Sequence, residues 1–412
     1  MRMRNLGTSL AIACLLVVLG CGGDDSGGPN PVTGVDITAD KAHLEIGHST
    51  AINATVGGGD NKDLTWSVNG VENGNSQWGT ITQNSAATYN APDALPSPRT
   101  VVIRAVSVQD TSKVDTCRIA VQFTKLFVDS AIGDDDTATG CVNMPYRTIT
   151  AALDEADAGW TVYVMPGTYT DTDGETFPVW VRQEVSLVGH DWETCIIRKQ
   201  TAEFDGYEGI RTGGNNATVR KLTVRDDTAL GNPRYYAALY TDSNNALFDS
   251  IRVFERGNNG CVRINRSNGA VFQNCVFDVT GDPGGGKASN RGFEITQDNQ
   301  GAIIRNCVLS GFGVGLFING TSDAMIEGCV LENCEYGADL CCTDTPDHTP
   351  VPDFGGGARG SAGGNTFRSY SECGILNRAD SIVYAKYNTW HNDPPVEGED
   401  YCVIGDGSII VE

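Results

Sequence analysis

The sequence predicts an all-β protein whose larger part is a parallel β-helix. Three observations carry that expectation. First, one line recurs along the chain. It reads A-T-V-R-K-L-T-V from Ala217, A-L-F-D-S-I-R-V from Ala246, A-V-F-Q-N-C-V-F from Ala270, A-I-I-R-N-C-V-L from Ala302 and A-M-I-E-G-C-V-L from Ala324. These spacings fall in the roughly 20–50 residue range of repeat architectures. Second, each line alternates apolar with polar residues and is flanked by Gly, Asn and Asp, the pattern of short strands between turns. Third, the gaps between lines leave no room for helices. Leu222, Ile251, Cys275, Cys307 and Cys329 then share one register. Coils of this kind bury their inner faces only by stacking on one another.

The chain has 412 residues, a net charge of −23 and a pI of about 4.5. Its length allows two or three domains. Such an acidic surface argues against nucleic acid or anionic lipid as a partner. Five histidines show no metal-ligand spacing, and a monomer is expected.

The amino terminus reads as an export signal. Arg2 and Arg4 precede an apolar run from Leu10 to Leu19, too short to span a membrane as a helix. The run ends Val18-Leu19-Gly20-Cys21, which resembles the lipobox of bacterial lipoproteins. The resemblance implies cleavage after residue 20 and a lipid on Cys21. Gly22, where Asp would imply inner-membrane retention, implies outer-membrane sorting. The expected location is therefore the outer membrane or surface of a Gram-negative cell, with the chain membrane-bound through its lipid. Residues 21–31 form a flexible tether rich in Gly, Asp and Pro.

Outside the cytoplasm disulfides persist. Cys275, Cys307 and Cys329 sit at inward positions on successive coils, where thiols pack as small hydrophobes. Cys141, Cys195, Cys334, Cys341, Cys342, Cys373 and Cys402 are loop-like and are the disulfide candidates, with connectivity open.

Residues 32–122 alternate in short runs at Val35–Ile37, Leu44–Ile46, Ala51–Val56, Leu64–Val68 and Val101–Ala105, as expected of a small sandwich. Thr65–Gly70 (T-W-S-V-N-G), Gly79–Thr82 and Tyr89–Pro92 resemble bacterial Ig-like domains. The resemblance implies a spacer or adhesion domain with Trp66 in its core.

The β-helix is expected over residues 123–412, with a cap and first coil at 123–191, coils at 192–386 and a C-terminal cap at 387–412. Ile149, Ala152, Leu153 and Ala156 share one face at helical spacing, so a short amphipathic helix over Ala151–Ala158 is expected to plug the open end. Asp134, Asp135 and Asp136 form either a calcium site or a turn-forming loop. Calcium favours clustered oxygens, but no D-x-D-x-D-G pattern is present. No cofactor is required by any other pattern.

From Pro145 to Gly189 the order P-x-R-T-I, V-x-P-G-T-Y, G-E-T-F-P and V-S-L-V-G resembles a family of unknown function within the pectin-lyase-like superfamily. That resemblance implies a right-handed, single-stranded parallel β-helix and an exported protein. It implies no reaction. Glu175 is its motif glutamate, read as fixing the cap turn. Pro166–Asp171 echoes an early motif of pectin methylesterases, whose later catalytic motifs are missing, so that activity is set aside.

One strand before each Ala-line matters for function. Alternation turns Ile210, Leu239, Val262, Phe293, Leu316, Ala338 and Ile375 inward. It turns Arg211, Tyr240, Arg263, Glu294, Phe317, Asp339 and Leu376 outward on one sheet. A second outward row holds Asp242, Asn265, Thr296, Asn319 and Arg378. With rungs about 4.8 Å apart, such a row can read a repeating polymer. Arg211, Tyr240, Asp242, Asn265 and Phe317 are the candidate binding residues, since guanidinium groups hold carboxylates or sulfates and aromatics stack on sugar rings. Glu294 and Asp339 lie two rungs apart, about 9.6 Å, near the upper edge of the roughly 6.5–9.5 Å separation of inverting glycosidases. With Arg263 they are the candidate catalytic residues. Asp242 beside Arg263 is the nearest approach to calcium-dependent lyase chemistry. Three readings remain open: a glycan-binding or adhesion module, a polysaccharide lyase or inverting glycoside hydrolase, and a purely structural surface protein in which Arg263 and Glu294 are only a surface pair.

Overall fold

The computed structural model describes residues 28–83, 87–122, 124–200, 208–226, 237–255, 260–279, 291–296, 299–341 and 350–412. The apolar run at residues 10–19 and Cys21 lie outside them, as do Cys342 and the Gly-rich insertion at 281–290. Among the described residues no helix is long and apolar enough to cross a membrane. The chain divides into two compact units, one ending at Val121 and the other beginning at Gln122.

The first unit is a sandwich of two five-stranded sheets built from antiparallel pairs. Strand Leu64–Val68 turns Trp66 and Val68 inward, and strand Thr100–Ser107 turns Val101, Ile103 and Ala105 inward. They meet Ile52, Ile81 and Tyr89 of the facing sheet in one apolar core. The Tyr89 hydroxyl donates to the Trp78 carbonyl at 2.7 Å, which satisfies its one buried polar atom.

The second unit is a parallel β-helix. Among the described residues its strands fall into a nine-stranded sheet and a 17-stranded sheet, and in both the pairings from one coil to the next are parallel. The Ala-lines stack in register. Ala217, Ala246, Ala270, Ala302 and Ala324 are all fully buried. Each passes its carbonyl to the next coil, from Leu247 N to Ala217 O at 2.9 Å through Met325 N to Ala302 O at 2.8 Å. Beside them Phe248 stacks on Phe272 with centroids 4.5 Å apart, and Phe293 meets Phe272 and Phe277 edge-on. Burying each such ring contributes about 1.5–3 kcal/mol.

Each coil bends where one residue takes left-handed backbone. Lys221, Ser250, Asn274, Asn306 and Gly328 form one such column, with φ between 52° and 62°. Asn tolerates that region better than most residues. Within the column Asn306 Nδ2 donates to Asn274 Oδ1 at 3.5 Å, and Asn274 donates in turn to Asp249 at 2.9 Å. At 328 a Cβ would lie 2.6 Å from Asn306 Oδ1, so glycine there leaves room for that side chain.

The thiols sort differently from the sequence expectation. Cys275, Cys307 and Cys329 form the buried reduced ladder that was expected. Among the described residues the disulfide is Cys373–Cys402. Cys195, expected in a bridge, is instead buried with its thiol donating to Val164 O. It belongs to a strand, Cys195–Lys199, and not to a loop.

The capping helix runs Ile149–Glu155, starting at the first residue of the periodic face and ending three residues before the expected Ala158, and buries Ile149, Ala152 and Leu153. Residues 387–412 were expected to cap the far end. They carry two further strands, with Tyr401–Val403 pairing to Cys373–Asn377 and Ser408–Ile410 to Ile382–Ala385. Trp390 stacks on Phe367 at 4.7 Å and fills that coil.

Candidate functional site

The nine-stranded sheet carries the candidate residues on its outer face. Its register pairs Trp180 with Arg211, Arg211 with Tyr240, Tyr240 with Arg263, Arg263 with Glu294, Glu294 with Phe317, Phe317 with Asp339 and Asp339 with Leu376. Sequence alternation therefore places the whole row, and the sheet adds Trp180 at its start. The Val179-Trp180-Val181 alternation is the signal that could have found it.

The row is open at one end and closed at the other. Trp180 is 56% exposed. Its indole lies across Gly213, where a Cβ would come within 2.3 Å of Nε1. The Arg211 guanidinium stands between two rings, 5.8 Å from the Trp180 centroid and 4.9 Å from that of Tyr240. Phe317, by contrast, is buried. The Arg291 guanidinium sits 3.5 Å above its ring. Phe317 is therefore not the stacking platform expected of it. Asp339 and Leu376 are also buried.

The charges of the row meet in ion pairs, of which the Arg263–Glu294 pair is loose and leaves Arg263 Nε without a hydrogen bond. Arg211 Nη2 donates to Asp242 Oδ2 at 2.8 Å, and its Nη1 lies 3.7 Å from Glu208 Oε2. Asp242 thus serves Arg211 and not Arg263, which removes the expected Asp–Arg arrangement for calcium-dependent lyase chemistry. Arg291 Nη1 donates to Glu294 Oε1 at 2.8 Å, and Arg263 Nε approaches Glu294 Oε2 at 3.8 Å. Arg378 grips Asp339 through both carboxylate oxygens, Nε to Oδ1 at 2.9 Å and Nη2 to Oδ2. Asn265 Nδ2 donates to the Tyr240 hydroxyl at 3.0 Å and holds that ring. Burial pushes the Glu208 carboxyl above its ordinary value, with Arg211 pulling it back and Asp242 adding to the rise. Burial alone would lower Arg211, but the Asp242 and Glu208 carboxylates outweigh it and raise its pKa.

Glu208, Arg291 and the guanidinium clamp on Asp339 were missed in the sequence. Arg291 reaches Phe317 because alternation breaks at Gly292 and Phe293, both buried, which swings Arg291 onto the outer side. Gly292, Gly315, Gly337 and Gly374 are each the second residue of one of these strands, and a Cβ at 315 would lie 2.5 Å from the Gly337 carbonyl.

The aspartate triplet has another task than calcium. Asp135 Oδ1 accepts from Arg147 N at 2.7 Å and Thr148 N at 3.0 Å, and Oδ2 accepts from the Thr148 hydroxyl. Asp134 accepts from Asp136 N at 3.0 Å. These carboxylates fold the loop onto the helix start. Among the described residues no group of three or more His, Cys, Asp or Glu is placed to hold a metal. Glu175 works at the same helix. Its Oε2 accepts from Ile149 N at 2.7 Å and its Oε1 from Thr150 N at 2.8 Å.

The profile of a protein family of unknown function, DUF1565, matches residues 131–397. No curated protein matches the chain in sequence. Among solved structures, pectate lyase Pel9A is similar at 14% identity, covering 70% of this chain and 77% of that one with a TM-score of 0.43. Pectin methylesterase PemA from Erwinia chrysanthemi is similar at 14% identity over 57% of this chain and 90% of that one, TM-score 0.38. A rhamnogalacturonan lyase is similar at 14% identity over 63% and 68%, TM-score 0.38. Likenesses this distant carry no argument about chemistry.

Proposed function

We propose, for a chain that belongs to the DUF1565 family of proteins of unknown function, that it binds polysaccharide along the outer face of its nine-stranded sheet. One observation carries the reading. An exposed Trp180 and a fixed Tyr240 flank Arg211 on successive rungs, with Asp242 and Asn265 beside them. Rings anchored on a sheet lose little freedom on binding, and the polar groups around them suit hydroxyl recognition.

The turnover reading is weaker. Asp339 is gripped through both oxygens by Arg378, and Glu294 is held by Arg291. A general acid must reach the oxygen it protonates, and Asp339 is buried with both of its oxygens engaged. The remaining parts of the proposal rest on sequence. The lipobox at Cys21 anchors the protein in the outer membrane of a Gram-negative cell, and the first unit, Ig-like in sequence, spaces the β-helix from the membrane as a monomer.

The test is affinity electrophoresis of the full chain through gels containing a panel of polysaccharides, with reducing-end and unsaturated-product assays on the same panel. Retardation without product release is the expected result. Product release that disappears in Glu294→Gln would replace binding with catalysis, and passage through every gel unretarded would leave a structural protein.

A further inference from the structure

We infer that the ligand is a neutral glycan and that Glu208 and Asp242 exclude acidic ones. This inference rests on the glycan-binding reading and specifies its ligand.

The argument begins with the charges of the face. Among the described residues, four guanidinium groups meet four carboxylates. Arg211 holds Asp242 and Glu208, Arg263 and Arg291 share Glu294, and Arg378 holds Asp339. The face therefore presents no surplus positive charge. A polyuronate or sulfated chain would have to take a guanidinium away from a carboxylate already in place. It would then leave that carboxylate beside its own negative charges. Like charges brought together across an interface cost several kcal/mol. The net charge of −23 over the whole chain adds long-range repulsion of the same sign.

Glu208 makes the exclusion local. It is 6% exposed and lies directly under Arg211, so no ligand group can displace it into water. Arg211 is thereby committed from below by Glu208 and from the side by Asp242. Its guanidinium also stands between the Trp180 and Tyr240 rings, 5.8 and 4.9 Å from their centroids. A neutral sugar asks for something else. Its C–H face lies on an exposed ring, and its hydroxyls exchange hydrogen bonds with Asp242, Asn265 and the edges of paired guanidinium groups. Trp180 and Tyr240 stand two rungs apart, about 9.6 Å, so a chain running along the β-helix axis meets a ring at alternate rungs. Carboxylates that oppose the wrong partner are a common source of specificity.

The experiment compares neutral polymers (glucan, galactan, xylan and arabinan) with polygalacturonate, alginate and dextran sulfate, using the full chain, with and without calcium. The inference expects at least one neutral polymer to be retained. Its retention should change less than about twofold between about 0.05 and 0.5 M salt, because no net charge is neutralised. Acidic polymers should be retained at least about tenfold more weakly, a difference of about 1.4 kcal/mol. The variants Asp242→Asn and Glu208→Gln should gain retention of polygalacturonate, and that gain should vanish at high salt. Wild-type protein that prefers an acidic polymer, with or without calcium, overturns the inference while leaving glycan binding intact. Failure to retain any polymer of either class overturns both. Neutral retention that Asp242→Asn and Glu208→Gln leave without any gain for acidic chains overturns the assigned role of those two carboxylates.

Discussion

Glu175→Ala should be a severe stability lesion. The side chain is 4% exposed and its two oxygens accept the backbone amides of Ile149 and Thr150, the first residues of the capping helix. Helix N-termini leave their first amides without partners inside the helix. Truncation to alanine strands both, at about 1–3 kcal/mol for each buried unsatisfied donor, and so about 2–6 kcal/mol in all. For a domain of this class, each kcal/mol moves the transition by about 2–4 °C, which places the loss at about 4–24 °C. Glu175→Gln keeps one acceptor oxygen and should lose about half as much. Differential scanning calorimetry of the two variants beside wild type measures both shifts. A Glu175→Ala transition within about 2 °C of wild type would refute the capping role, since even one orphaned amide exceeds that.

Two further predictions follow from packing and charge. Gly315→Ala should cost about 1–3 kcal/mol, because its Cβ would press on the next coil's backbone and not on a side chain that can turn aside; a denaturant midpoint unchanged from wild type would contradict the close coil contact. Asp400 is fully buried by the last coil, and although burial raises its carboxyl, the Tyr370 hydroxyl and the Val396 and Asn392 donors hold it below the ordinary 3.8. Since its folded pKa is the lower one, its contribution is present above pH 3.8 and fades as pH falls through the folded value. The stability deficit of Asp400→Asn should therefore be constant at neutral pH and shrink below pH 3.8, and a deficit independent of pH down to acid unfolding would contradict it.

The fold was legible because its signals are local and repeated. Five Ala-lines with the same alternation fix the inward face of each coil, and the structure buries all five alanines. The outward row from Arg211 to Leu376 was legible for the same reason, a period of two applied to strands that lie in register. Three things were hidden. Phe317 looked exposed by alternation, yet Arg291 covers it, because the backbone irregularity at Gly292–Phe293 is not written in any period. The task of Asp135 depends on amides at Arg147 and Thr148, brought back by the turn of the first coil. The Cys373–Cys402 bridge joins neighbouring coils, and coil lengths vary too much for sequence spacing to identify partners.

The most direct test of the central claim is the retention of Trp180→Ala/Tyr240→Ala by the neutral polymer that holds wild type best. Both side chains stand on the outer face and Trp180 is 56% exposed, so the double variant should unfold at nearly the wild-type temperature. Aromatic stacking contributes about 0.5–1.5 kcal/mol for each ring, so together the losses should weaken retention by about fivefold to more than a hundredfold. That loss in a normally folded variant is what a binding face built on these rings predicts. Retention equal to wild type would place the glycan elsewhere on the molecule and contradict the account.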